Sequence, residues 1–349
     1  MCSLKFFRSS SRLHLIITLN KKSKFSNQSQ IIFSLAKGSG YLAVAKIINI
    51  ISALFVFGLI ARNFEPESLG KIDLLITTII FIVNTSIFGQ GTALGRLIND
   101  PISNEEKRSL ASHSFLIQGC IVLIILLIFY CIFSFYIPLG IILPNTSRNL
   151  LIIIIAQIPF SLTIESSLGL LLWSRYTKSF ALLSVSSSLL TLSLILLMFL
   201  FRTQSIFNLF IVYLLSRIFT AILAMFLCIR KSLLSRIKSI DLTFLIPLFH
   251  LALPIGLLNG IATLMPVWER ILIKSYLSDS DLGLFALAAK VASVITVLGS
   301  SFSNSWGPTY IKIYKNPKVH RIFALVFKSI GLISSLLILY MSIFSSNLV

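Results

Sequence analysis

The apolar positions of this chain follow neither a period of two nor a period of 3.6; they come in nearly unbroken runs of about twenty residues, separated by short polar breaks. As a helix, such a run is hydrophobic all round, and a rise of about 1.5 Å per residue carries it across a hydrocarbon layer of about 30 Å. Nine runs satisfy this length, at roughly 41–62, 73–94, 114–136, 150–172, 179–201, 206–229, 248–273, 284–306 and 322–344. A membrane leaves no partner for unpaired backbone groups, so each run reads as a helix. The pattern predicts an all-α, polytopic membrane protein with about nine transmembrane helices.

Composition agrees with the pattern. The 349 residues are 56% hydrophobic and 12% charged, with a mean hydropathy of +0.95, more apolar than soluble domains average. The net charge of +19 would suggest nucleic-acid binding in a soluble protein, but its placement says otherwise. Seven basic residues lie before the first run (Lys5, Arg8, Arg12, Lys21, Lys22, Lys24, Lys37), and further clusters occupy every second break. The intervening breaks hold only Arg62, Lys71, Arg148, Arg202 and Lys274. This positive-inside bias puts the amino terminus in the cytoplasm and makes basicity a topology signal, with no nucleic-acid partner expected. Residues 1–39 contain no Asp or Glu, and they read as a basic cytoplasmic tail rather than a transit peptide. Cys2 lies in that tail and Cys120, Cys131 and Cys228 in runs, without a disulfide or metal-binding spacing.

An internal repeat organises the rest. The segments NFEPESLGKIDLLITT (63–78) and KSYLSDSDLGLFALAAK (274–290) both place acidic residues and Leu-Gly ahead of a run, with Gly70 and Gly283 213 residues apart. Six runs fit in that interval, an even number, so the units are parallel, an architecture in which transporters place substrate between halves. The expected organisation is the tail (1–39), a first six-helix bundle (40–241) and a partial second bundle of three helices (242–349).

Charges inside runs are the candidates for function, since each costs about 3 kcal/mol at mid-bilayer unless it meets protein or water. Arg217 sits in the middle of its run, about 17 Å from either end by helical rise. A structural pairing with Glu165, the one carboxylate well inside a run, is the alternative to a ligand role. Lys290, Ser293, Ser300 and Asn304 share one helical face. Asn259, Thr263 and Arg270 share another, with Glu269 beside them, and Lys46, Asn49 and Ser52 form a third stripe; Lys46 and Lys328 lie near enough to a membrane edge to snorkel. Pro159, Pro254 and Pro266 fall inside runs, where they mark kinks. The GxG at Gly89–Gly91 reads as close helix packing in preference to a phosphate cradle. No nucleotide-binding loop, HExxH or catalytic triad spacing is present, and the short loops hold no catalytic domain, so neither an enzyme nor a cofactor is expected.

The segments GYLAVAKIINIISALFVFGLIARNFEPESLGKIDLLITTI, GQGTALGRLI and LALPIGLLNGIATLMPVWERILIKSYLSDSDLGLFALAAKVA resemble polysaccharide-biosynthesis flippases, the Wzx-type O-antigen transporters, which share a superfamily with MATE exporters and lipid II flippases. The resemblance runs from about residue 36 to the end. It implies MATE-like six-helix bundles, the second incomplete here, around a cavity that opens alternately to each face of the inner (plasma) membrane. It also implies an undecaprenyl-diphosphate-linked oligosaccharide as substrate. Where members show Asp-Arg near the end of the seventh span, this chain has Glu269-Arg270.

Together these readings predict that Arg217 and Lys290, with Lys46 and Arg270, bind the anionic head group of a lipid-linked oligosaccharide by charge-assisted hydrogen bonds. Glu165, and Glu269 beside Arg270, are the candidate charge partners or proton- or sodium-coupling groups. The alternatives are a multidrug or cation exporter of the same superfamily, which would want an acidic cavity, a membrane-embedded polymerase, which would need a large outer loop, and a non-transporting truncated remnant.

Overall fold

The computed structural model describes residues 40–99, 103–135, 148–235, 242–290, 292–293 and 319–343. The described residues form ten helices: α1 (Gly40–Asn63), α2 (Pro66–Ile87), α3 (Gln90–Ile98), α4 (Asn104–Phe135), α5 (Arg148–Trp173), α6 (Thr177–Leu200), α7 (Ile206–Arg230), α8 (Leu242–Tyr276), α9 (279–290) and α10 (Val319–Ile343). Among them, seven spans are long and apolar enough to cross a membrane, α2 and α3 together making one of them. These are the first seven runs. α9 begins the eighth, whose remainder lies outside the described residues, and α10 covers the ninth. The fold is all-α, as the pattern predicted. The expected tail, most of the loop near 137–149, and Ser300 and Asn304 also lie outside the described residues.

Short polar signals set the helix ends. Ser103 and Glu106 form a reciprocal capping box at the start of α4: the Ser103 amide donates to Glu106 Oε2 at 2.7 Å, and the Glu106 amide to Ser103 Oγ at 3.2 Å. Ser278 and Asp281 repeat the device at α9. Hydrogen bonds from the Ser278 hydroxyl and amide hold the Asp281 carboxyl below its ordinary range. The Ser205 hydroxyl accepts from the Asn208 amide at the start of α7. At the other ends Arg175, Arg202 and Ser232 adopt left-handed backbone, and paired bonds such as Tyr176 N to Leu171 O and Arg175 N to Leu172 O close Schellman turns.

α5 is the hub, packing against α2, α3, α4, α6 and α7, while α8 lies along α2, α3 and α4. Three apolar clusters stack along the bundle, and fully buried Phe210, Leu171, Leu209 and Leu183 anchor them. Lipid removes the hydrophobic drive between spans, so association relies on tight packing and interhelical hydrogen bonds. A buried polar chain supplies the latter: Ser166 donates to Gln118, Gln118 to Ser114, and Ser114 to Gln90, stitching α5, α4 and α3 together. Pro159 lies inside α5, and Pro247, Pro254 and Pro266 inside α8, and both helices continue through them.

The second run departs from a single helix. Phe88 and Gly89 take successive left-handed conformations (φ 48° and 70°), ending α2 and starting α3. The cause is close approach, since a Cβ on Gly89 would stand 2.6 Å from Ala252 O and from Gly256 N of α8. The GxG is thus a packing element. The repeat glycines also meet: a Cβ on Gly70 would lie 3.0 Å from Gly283 N, and one on Gly283 would collide with the Pro66 carbonyl.

Candidate functional site

A cavity of about 330 Å³ lies among α1, α2, α5, α6 and α7, with α9 at its side. Small polar groups pave one wall. Ser184, Ser187, Ser188 and Thr191 repeat every three or four residues along α6, and side-chain hydrogen bonds of 2.5 and 2.7 Å join Asn49 of α1 to Ser184 and Ser188. Thr191 bonds Ser216 of α7 at 2.6 Å. Val56, Phe57, Ile60, Ile72 and Ile164 supply the apolar wall.

Three of the sequence candidates converge here. Glu165 from the hub helix, Arg217 from α7 and Lys290 from α9 all line the cavity. The Glu165 side chain is exposed to the cavity space. Arg217 and Lys46 lie close enough to Glu165 for their charges to be felt, while Arg217 and Glu165 join none of the ion pairs found among the described residues. Lys290 Nζ stands 5.6 Å from the centre of the Phe57 ring. Cationic groups therefore outnumber unpaired carboxylates around this space.

Arg270 and Glu269 are elsewhere. Arg270 is buried between α8 and α2, where its Nε donates to Asp73 Oδ2 at 2.6 Å and its Nη1 to the Pro266 carbonyl at 2.9 Å, with the guanidinium over Phe285 at 5.5 Å. Asp73 itself lines the cavity, so Arg270 touches the site through its partner. Glu269 is exposed on α8 and takes no part in the pair. Asn259 is likewise exposed. Sequence reasoning missed Asp73, Tyr213 and the α6 ladder. The ladder was legible as SVSSSLLT with helical spacing, whereas Asp73 looked like part of a polar break.

The polysaccharide biosynthesis protein family matches residues 35–314 of this chain. No curated protein sequence matches it. Among solved structures, a MATE in the straight conformation superposes with a TM-score of 0.68 at 15% identity, covering 90% of this chain and 73% of that one. A mutant of the Vibrio cholerae MATE transporter VcmN gives 0.64 at 18% identity, covering 90% and 76%. A MOP superfamily transporter from Pyrococcus furiosus gives 0.65 at 16%, covering 90% and 72%. At these identities the likeness is one of fold, and the fold is MATE-like.

Proposed function

The chain belongs to the polysaccharide biosynthesis protein family, and on that premise we propose that this multi-pass membrane protein flips an anionic, polyprenyl-diphosphate-linked oligosaccharide, such as an O-antigen repeat unit, from the cytoplasmic to the outer face of the inner membrane. The observation that carries the reading is the cavity in which Arg217 and Lys290 stand without an ion-pair partner among the described residues, walled by hydroxyl groups suited to sugars. In a water-poor space such cations attract a diphosphate far more strongly than they would at a surface. The polyprenyl chain stays in the bilayer while the head group enters the cavity.

In this reading the amino-terminal side is cytoplasmic, and the Asp73–Arg270 pair belongs to the outer gate, which must part for release. Arg270 is then a gate residue and Lys46 a supporting charge near Glu165. Glu165 is the group that couples flipping to protons or sodium, because protonation or cation binding would change its hold on Arg217.

Expression in cells lacking their own O-unit flippase tests this. The parent chain restores surface polysaccharide, and Arg217→Ala or Lys290→Ala at equal membrane abundance lowers it at least tenfold, the loss expected from one or more charge-assisted bonds of about 1.5–3 kcal/mol. Variants as active as the parent would sink the cavity model. Glu165→Gln flattens the dependence of flipping on pH or sodium, and an unchanged dependence removes Glu165 from coupling. A cation exporter would instead lower dye accumulation in the same cells.

A further inference from the structure

A second cavity, of about 390 Å³, lies at the opposite end of the bundle from the Asp73–Arg270 pair, at the side where α1 begins. Three separate chain turns build it: the end of α3 with the start of α4, the α5–α6 turn, and the residues after α7. Each contributes cations. Lys107 and Arg108 come from α4, Arg175 from the α5–α6 turn, and Lys231 from the end of α7, where it stands 5.2 Å from the centre of the Tyr176 ring. Among the described residues no carboxylate lines the cavity, and none of the four cations joins an ion pair.

Two ordinary explanations for such charges fall short. Cations at the ends of α5 and α7 would be favoured by the helix dipoles alone, but Lys107 and Arg108 stand near the amino-terminal end of α4, where the dipole disfavours them. Topology needs basic residues on this side but does not require three turns to aim them at one hollow. The floor is apolar as well. Ile98, Leu170 and Leu233 line it, and the Trp173 indole lies so close against Gly95 of α3 that no side chain fits between them. A basic rim over an apolar floor, at the depth where the spans end, matches a group that is half phosphate and half hydrocarbon.

We propose that this cavity binds the phosphate of an anionic membrane-lipid headgroup, with Lys107, Arg108, Arg175 and Lys231 on the phosphate and Trp173 beside the glycerol and upper acyl region. A free phosphate in water would use the cations and gain nothing from the floor. The site is independent of the cargo carried by the central cavity.

The test uses the full chain with Trp268→Phe and Trp306→Phe, leaving Trp173 as reporter, in nanodiscs containing brominated phosphatidylglycerol or brominated phosphatidylcholine. Phosphatidylglycerol should quench Trp173 at a mole fraction at least fivefold lower than phosphatidylcholine. Lys107→Gln with Arg108→Gln and Arg175→Gln should abolish that preference at unchanged helical circular dichroism, while Arg202→Gln, at the other end of the bundle, leaves it intact. If the triple variant does not fold, Arg175→Gln alone, on an exposed turn, should still reduce the preference at least twofold. Equal quenching by the two lipids, or a preference that survives every pocket variant, overturns the proposal. A saturable Trp173 response to inorganic pyrophosphate without any phosphatidylglycerol preference overturns it too, and assigns the cavity to a soluble phosphate.

Discussion

The contact between α2 and α8 is held by opposite means at its two ends. Near the α8–α9 turn it is polar: Arg270 pairs with Asp73 at 2.6 Å, and Asp279 takes Lys71 at 3.7 Å and Lys274 at 3.5 Å. Toward the α1-start side it is apolar and backbone-close, with Gly89 against Gly256 and Phe88 beside Phe249 at 5.9 Å. Ion pairs can be exchanged for water or other partners as a seam opens, whereas a contact between backbones has one good arrangement and loses it when the helices slide. Under the flipping mechanism proposed above, the polar end is the one suited to part and the glycine end the one suited to pivot.

Several substitutions would break or sharpen that contrast. The largest effect is expected from Arg270→Ala, which strands Asp73 in a site where both side chains are nearly covered; the cost is about 3–5 kcal/mol. Thermal unfolding in detergent reads it, and the double variant Asp73→Asn with Arg270→Gln should recover a large part. A double-mutant cycle showing no coupling would mean the pair does not hold this end shut. Gly89→Ala comes next at about 2–4 kcal/mol, because a Cβ there meets left-handed backbone and two α8 atoms at 2.6 Å. Its effect should not change with salt, in contrast to the polar end. Gly91→Ala, with only Ile87 Cγ2 at 4.0 Å, should be neutral or mildly stabilising in the same assay. Lys71→Gln is expected to cost least, under about 1 kcal/mol and less still at high salt, since Lys71 and its i,i+4 partner Glu67 are partly open to solvent. A Lys71→Gln variant as damaging as Arg270→Ala would erase the distinction between a buried latch and its exposed rim.

The helices were legible because membrane insertion ties hydropathy directly to structure: a twenty-residue apolar run has almost no alternative to a helix. Arg217, Glu165 and Lys290 stood out for the same reason, each being a charge where charge is costly. The partners of the charges were not legible. Arg270 looked like the neighbour of Glu269, but consecutive helical residues point about 100° apart, and the guanidinium reaches Asp73, 197 positions away, instead. The break at Phe88–Gly89 was hidden likewise, since its cause, the α8 backbone, lies more than 160 positions away.

The sequence by itself therefore determined the number of early spans, their alternating direction, the repeat glycines and the identity of the charges inside spans, because these follow from the local exchange of water for lipid. Only the tertiary structure decided which charges share a cavity, which are locked in pairs and where two distant basic turns meet a third. Those outcomes depend on how helices pack across the bundle, and packing joins residues by distance in space, a quantity that local hydropathy does not encode.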